Sequence, residues 1–99
     1  MMLDIIKDNV EKEPKNLLEM ALKLSEESGE VAQAILSLTK ASGSAYKELD
    51  YDDAMEECVD SILVAYVLFE KLNKESENKV FFEEVLEAKV KKWLTKVNQ

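Results

Sequence analysis

Five carboxylates in two short runs carry the chemistry of this sequence. Glu26, Glu27 and Glu30 lie in LSEESGEVAQAILSL, residues 24–38, and Glu57 and Asp60 lie in MEECVD, residues 55–60. An α-helix advances about 100° per residue, so side chains three apart project side by side. Glu27 with Glu30, and Glu57 with Asp60, are therefore two pairs of one spacing. Four such carboxylates from two helices make an oxygen-only site for a hard divalent cation. Mg²⁺ suits it, because that ion takes a few carboxylates and leaves its other positions to water and phosphate. The 99 residues contain no His, and all thirteen basic residues are Lys. His-ligated zinc, Ser-His-Asp catalysis and Cys-His proteolysis are thereby excluded. Asp and Glu alone select a hard ion over zinc or copper. Di-iron bundles need Glu-x-x-His, and DYDDAMEECVDS lacks the Gly and Glu that an EF-hand places sixth and twelfth. A lone Glu-x-x-Glu is ordinarily a solvated face; two pairs bordering apolar stripes on long helices favour a site.

The elements that position these groups read as helices. Leu3–Val10 is a short amphipathic segment with Leu3, Ile6 and Val10 on one side. Pro14 suits the first turn of a helix running from about Lys15 to Thr39, which Gly43 in ASGSA closes. Taking Leu17 as zero, Leu24, Val31, Ile35 and Leu38 fall within roughly 60° and form the core face. Glu27 lies at the edge of that stripe, and Glu30 about 60° further round. Gly29 admits close approach of a backbone or ligand, or is simply tolerated at about 1 kcal/mol relative to Ala. Asp50 with Asp53 reads as the N-cap of a helix over Tyr51–Leu72. There ILVAYVLF, residues 62–69, is apolar all round, as in a helix enclosed on most sides. Glu57 and Asp60 share a face with Val64 and Leu68. After a polar turn at Asn73–Lys79, a last helix runs from about Val80 to Val97. Phe82, Val85, Leu86, Val90 and Trp93 form its packing face.

The expected class is all-α, one domain over residues 1–99. The net charge of −8 argues against nucleic acid and anionic membrane as partners. Cys58 is the single cysteine, so no internal disulfide forms, and it reads as a small packing residue in a reducing compartment. The start lacks the pattern of a signal peptide, and no apolar run approaches the roughly 18 residues of a membrane span. A cytoplasmic location is expected. From Lys89 onward there are four lysines and no acid. Those lysines answer the helix dipole, snorkel along apolar surface, or capture phosphate. Lys89, within the apolar face, is read as a phosphate contact; Lys92 suits either reading. The helix Tyr51–Leu72 needs more cover than one chain offers, so an isologous dimer is expected to complete a four-helix bundle.

Glu26-Glu27-Ser28-Gly29-Glu30, 26 intervening residues, and Glu57-Cys58-Val59-Asp60 resemble the EExxE…ExxD signature of the MazG-like all-α nucleoside triphosphate pyrophosphohydrolases. EPKNLLEMALKLSEESGEVAQAI also resembles that family's Pro-x-Asn-Leu lead-in, and the likeness covers about residues 13–70 clearly. It implies a MazG-like fold and Mg²⁺-dependent cleavage of (d)NTP to (d)NMP and pyrophosphate, in a house-cleaning or nucleotide-pool role. It implies Glu27, Glu30, Glu57 and Asp60 as metal ligands, with Mn²⁺ as a substitute ion. Glu26 is then the carboxylate that orients water, and Lys89 assists catalysis. Lys89, Lys92 and Asn16 contact substrate. It also implies a homodimer or a tetramer of paired dimers. Family members carry an Asn and a following Arg near this lysine, where this chain has Glu87 and Lys92 or Trp93, so base recognition does not carry over. The alternative is a non-catalytic acidic helical module that binds a partner.

Overall fold

The two long helices begin where a side chain replaces missing backbone partners. The computed structural model describes residues 1–39 and 49–99. In order these are α1 (Met2–Asn9), a 3₁₀ turn (Val10–Lys12), α2 (Leu17–Leu38), α3 (Tyr51–Glu75) and α4 (Phe82–Val97). No strand occurs among the described residues. Asn16 caps α2: its Oδ1 accepts from the Glu19 N–H at 2.8 Å, and Glu19 Oε1 accepts from the Asn16 N–H at 3.0 Å. This reciprocal box fixes the start at Leu17. Pro14 therefore precedes the cap instead of occupying the first turn. Asp50 and Asp53 form the same box on α3, at 2.9 Å in both directions. The Asp53 N–H, foremost, holds the Asp50 carboxyl below its ordinary range. The expected stop at Gly43 falls in 40–48, outside the described residues.

α2 and α3 pack against each other as the main helix pair. The seam on α2 follows Met20, Leu24, Glu27, Val31, Ala34 and Leu38, all buried or half-buried. Its alternating spacing of four and three is that of coiled-coil packing against one partner. The facing line on α3 is Ala54, Glu57, Ser61, Val64 and Leu68, again buried or half-buried. This phase corrects the expected stripe. Ile35 is 45% exposed, whereas Glu27 is 7% exposed and sits inside the seam.

The N-terminal segment is strapped along the far half of α3. Lys71 Nζ donates to the Glu13 carbonyl at 2.8 Å, and Lys74 pairs with Glu11 at 2.6 Å. Val10 is buried. Tyr66, also buried, donates its hydroxyl to Glu70 Oε2 at 2.7 Å. Burial, then Glu70, pushes the Tyr66 phenol far above its ordinary range.

α3 runs to Glu75, three residues past its expected end. Lys79 Nζ donates to the carbonyls of Asn73, Lys74 and Ser76 at 2.6–2.7 Å. A cation there satisfies the carbonyls that a helix end leaves open. Asn73 binds both backbone groups of Val80, at 2.8 and 3.0 Å. Phe82 then meets Tyr66 edge-on at 4.6 Å and Phe69 at 5.2 Å. Beyond Phe82 every residue of α4 is exposed. The expected packing face of Val85, Leu86, Val90 and Trp93 is thus uncovered by the described residues. The enclosure expected for α3 is likewise partial, since Val59, Ile62 and Leu63 are exposed. A radius of gyration of 16.3 Å, against about 13 Å for a compact chain of this length, reflects the projecting helix.

Candidate metal centre

The α2–α3 seam brings the two carboxylate pairs together, midway along α2 and in the first half of α3. One oxygen each from Glu27, Glu57 and Asp60 lies within 4.8 Å of the other two. Oxygens from Glu26, Glu27 and Glu30 meet the same limit, so Glu27 belongs to both groups. Its Oε1 takes the Lys23 ammonium at 3.1 Å. Its Oε2 is buried with no hydrogen-bond partner, as are Glu57 Oε2 and Ser61 Oγ. A buried acceptor left unmatched in this way is destabilising unless something else meets it.

The electrostatics have one sign. The Glu57 carboxyl is pushed above its ordinary range, first by the adjoining Glu30 carboxyl, then by burial, then by the charges of Glu30, Asp60 and Glu27. Carboxylates crowded at this distance disfavour one another's ionised form. Among the described residues the cation at the rim is Lys23, held charged first by Glu27 and then by Glu26, which lies 3.5 Å away. Lys23 approaches Glu27 Oε1 and leaves Oε2 unmatched. A divalent cation meets all of these requirements, since each carboxylate oxygen has an unused lone pair and hard oxygen donors suit Mg²⁺ and Mn²⁺. The donor set of Glu27, Glu30, Glu57 and Asp60 therefore fits such an ion, with the exposed Glu26 at its edge.

The remaining candidates stand elsewhere. Asn16 is engaged in the α2 cap, eleven residues or about 16 Å along the helix from Glu27. Lys89 and Lys92 are exposed on α4, and among the described residues no carboxylate lies within ion-pair distance of either. Lys89 does not point into a core, because α4 beyond Phe82 is exposed and the described residues place nothing over it. Cys58, expected to pack, is exposed. An added Cβ on Gly29 meets nothing within 4 Å, so no close contact inside the chain requires glycine there.

Two members of the cluster escape a motif-based reading. Lys23 is one turn before Glu27, and Ser61 one turn after Glu57; both were signalled only by four-residue spacing. Among the described residues no helix is long and apolar enough to cross a membrane. No family model, no curated protein and no solved structure matches the chain.

Proposed function

We propose that the protein is a Mg²⁺-dependent nucleotide pyrophosphohydrolase of the MazG-like kind, converting a nucleoside or deoxynucleoside triphosphate to its monophosphate and pyrophosphate. The observation that carries this reading is that Glu27 and Glu57 each keep a buried oxygen without a hydrogen-bond partner, while oxygens of Glu27, Glu57 and Asp60 gather within 4.8 Å in the α2–α3 seam. A solvated acidic face does not place such groups in the seam. Bound Mg²⁺ supplies charge neutralisation for phosphate oxygens and polarises water. Glu27, Glu30, Glu57 and Asp60 are the residues that would hold the ion. Glu26, exposed at the rim, accepts the proton of the attacking water as its oxygen bonds to the α-phosphorus. The bond from that phosphorus to the bridging oxygen breaks, and pyrophosphate departs. Lys89 and Lys92 serve phosphate as point charges, and the chain works as a homo-oligomer.

Carboxylate variants test the assignment. Glu27→Gln and Asp60→Asn are expected to lose pyrophosphate release while keeping their helical signal. Full activity in both sinks the assignment. Lys89→Met keeps the aliphatic stem and removes the charge, so it weakens turnover with the fold intact.

A further inference from the structure

Three buried side-chain atoms among the described residues have no hydrogen-bond partner: Glu27 Oε2, Glu57 Oε2 and Ser61 Oγ. All three residues lie on the α2–α3 seam, and Glu27 is only 7% exposed. The donor set of the metal centre explains the two carboxylate oxygens. It leaves the hydroxyl unexplained.

Ser61 stands one turn after Glu57, between it and Val64 on the line that faces α2. A helical serine or threonine can satisfy its hydroxyl on the carbonyl four residues back. Thr39 does so on Ile35 at 3.0 Å, and Thr95 on Lys91 at 3.1 Å. Ser37, a buried serine of α2, accepts from the Leu49 N–H at 2.9 Å. Ser61 does neither. Packing alone gives no reason for a hydroxyl there. Ala54 fills the corresponding place two turns earlier, and alanine is the better helix former. A buried hydroxyl without a partner is destabilising unless something outside the chain meets it.

The neighbouring groups indicate what that is. Ionised carboxylates only accept hydrogen bonds, whereas a hydroxyl both donates and accepts. Mg²⁺ keeps several of its waters, and those waters are donors that need acceptors around the ion. We propose that Ser61 is a positioning residue of the metal centre. Its oxygen accepts from a water carried by the bound cation, and its hydrogen goes to a neighbouring carboxylate oxygen. This role rests on the metal-binding part of the hydrolase reading and is independent of the reaction assigned to it. The hydroxyl carries no charge, so removing it leaves the mutual repulsion of the carboxylates in place. A carboxylate variant relieves that repulsion, and the two kinds of variant thereby separate geometry from charge.

Calorimetric titration of MgCl₂ into the metal-free full chain, with melts in EDTA, tests the role without nucleotide. Ser61→Ala is expected to melt at or above wild type in EDTA, because the described residues give the hydroxyl no bond to lose. It is also expected to bind Mg²⁺ about 10–100-fold more weakly, the range for losing an outer partner of a metal site. A hydroxyl that serves the fold moves these readouts the other way: the melting temperature falls and the affinity stays. Ser61→Thr and Ser61→Val fill nearly the same volume, so their comparison reads the hydroxyl apart from any crowding of the seam. The threonine variant is expected to bind about tenfold or more tighter than the valine variant. Wild-type affinity in Ser61→Ala, a lower melting temperature for it in EDTA, or equal affinities for the threonine and valine variants overturns the role of Ser61 while leaving the metal centre standing. A wild type that binds neither Mg²⁺ nor Mn²⁺ overturns the metal centre, and the role of Ser61 with it.

Discussion

Glu27→Gln should stabilise the metal-free protein, although it alters a buried side chain that forms an ion pair. Glu27 Oε2 has no partner, and carboxylate oxygens of Glu57 and Asp60 lie within 4.8 Å of a Glu27 oxygen. An unmatched buried acceptor costs about 1–3 kcal/mol. Glutamine removes the charge and offers an amide donor to the neighbouring carboxylates. What it gives up is the pairing with Lys23, whose side chain is 35% exposed, and such partly solvated pairs contribute about 0.2–1 kcal/mol. The difference leaves a net gain of about 1 kcal/mol, or about 4–8 °C in melting temperature for a domain of this size. Magnesium reverses the order of response. At tenfold excess over its dissociation constant, ligand linkage stabilises the wild type by about 1.4 kcal/mol, about 6–11 °C. A variant with tenfold weaker binding gains about 0.4 kcal/mol, about 2–3 °C. Melts followed at 222 nm in EDTA and in millimolar MgCl₂ measure both quantities. A variant that melts lower than wild type in EDTA and keeps the full magnesium shift refutes the reasoning. Glu27 is then a structural partner of Lys23 and nothing more.

Further outcomes follow from neighbouring residues. Glu57 has a raised pKa in the fold, so its contribution to stability is fully present below the unfolded value near 4.5 and is lost as pH rises through the higher folded value. The melting temperature of metal-free wild type relative to Glu57→Gln should therefore fall across that window, and a flat difference contradicts the crowding of the cluster. Tyr66→Phe removes the partner of Glu70, itself 4% exposed, and should cost about 1–3 kcal/mol while leaving the magnesium shift untouched. An unchanged melting temperature would show that Glu70 finds another donor. Gly29→Ala meets nothing within 4 Å and should add about 1 kcal/mol of helix stability. If it stabilises but abolishes turnover, substrate approaches that turn; destabilisation would place a neighbouring chain there.

Much of the fold is legible in the sequence because its signals are local. Asp50 with Asp53 marks the start of α3 by side-chain chemistry alone, and the three-residue spacing of the carboxylates places each pair on one face. The start of α2 reads wrongly from Pro14, because the box formed by Asn16 and Glu19 is the stronger local device. The phase of α2 is not local. A 100° wheel anchored on Leu17 favours Ile35 and sets Glu27 at the margin. The observed contact with a single partner follows a 3.5-residue repeat, which drifts about 20° per seven residues from that wheel. The drift carries Glu27 into the seam and Ile35 out of it. Lys23 and Ser61 join the cluster through this phase, so neither stands out before the helices are paired. The apolar face of α4 is visible in the sequence, but whether the same chain covers it depends on how Asn73, Lys79 and Phe82 fix the turn before it. Lys89, expected to point into a core, is exposed for that reason.

The most direct test of the central claim follows the products themselves. Mixed nucleoside and deoxynucleoside triphosphates are incubated with the full chain and monitored by ³¹P NMR, with millimolar MgCl₂ and with excess EDTA. The account predicts monophosphate and pyrophosphate appearing together in equal amounts with magnesium, and no turnover when it is chelated. Orthophosphate with a nucleoside diphosphate, turnover unaffected by EDTA, or no turnover with magnesium present contradicts it.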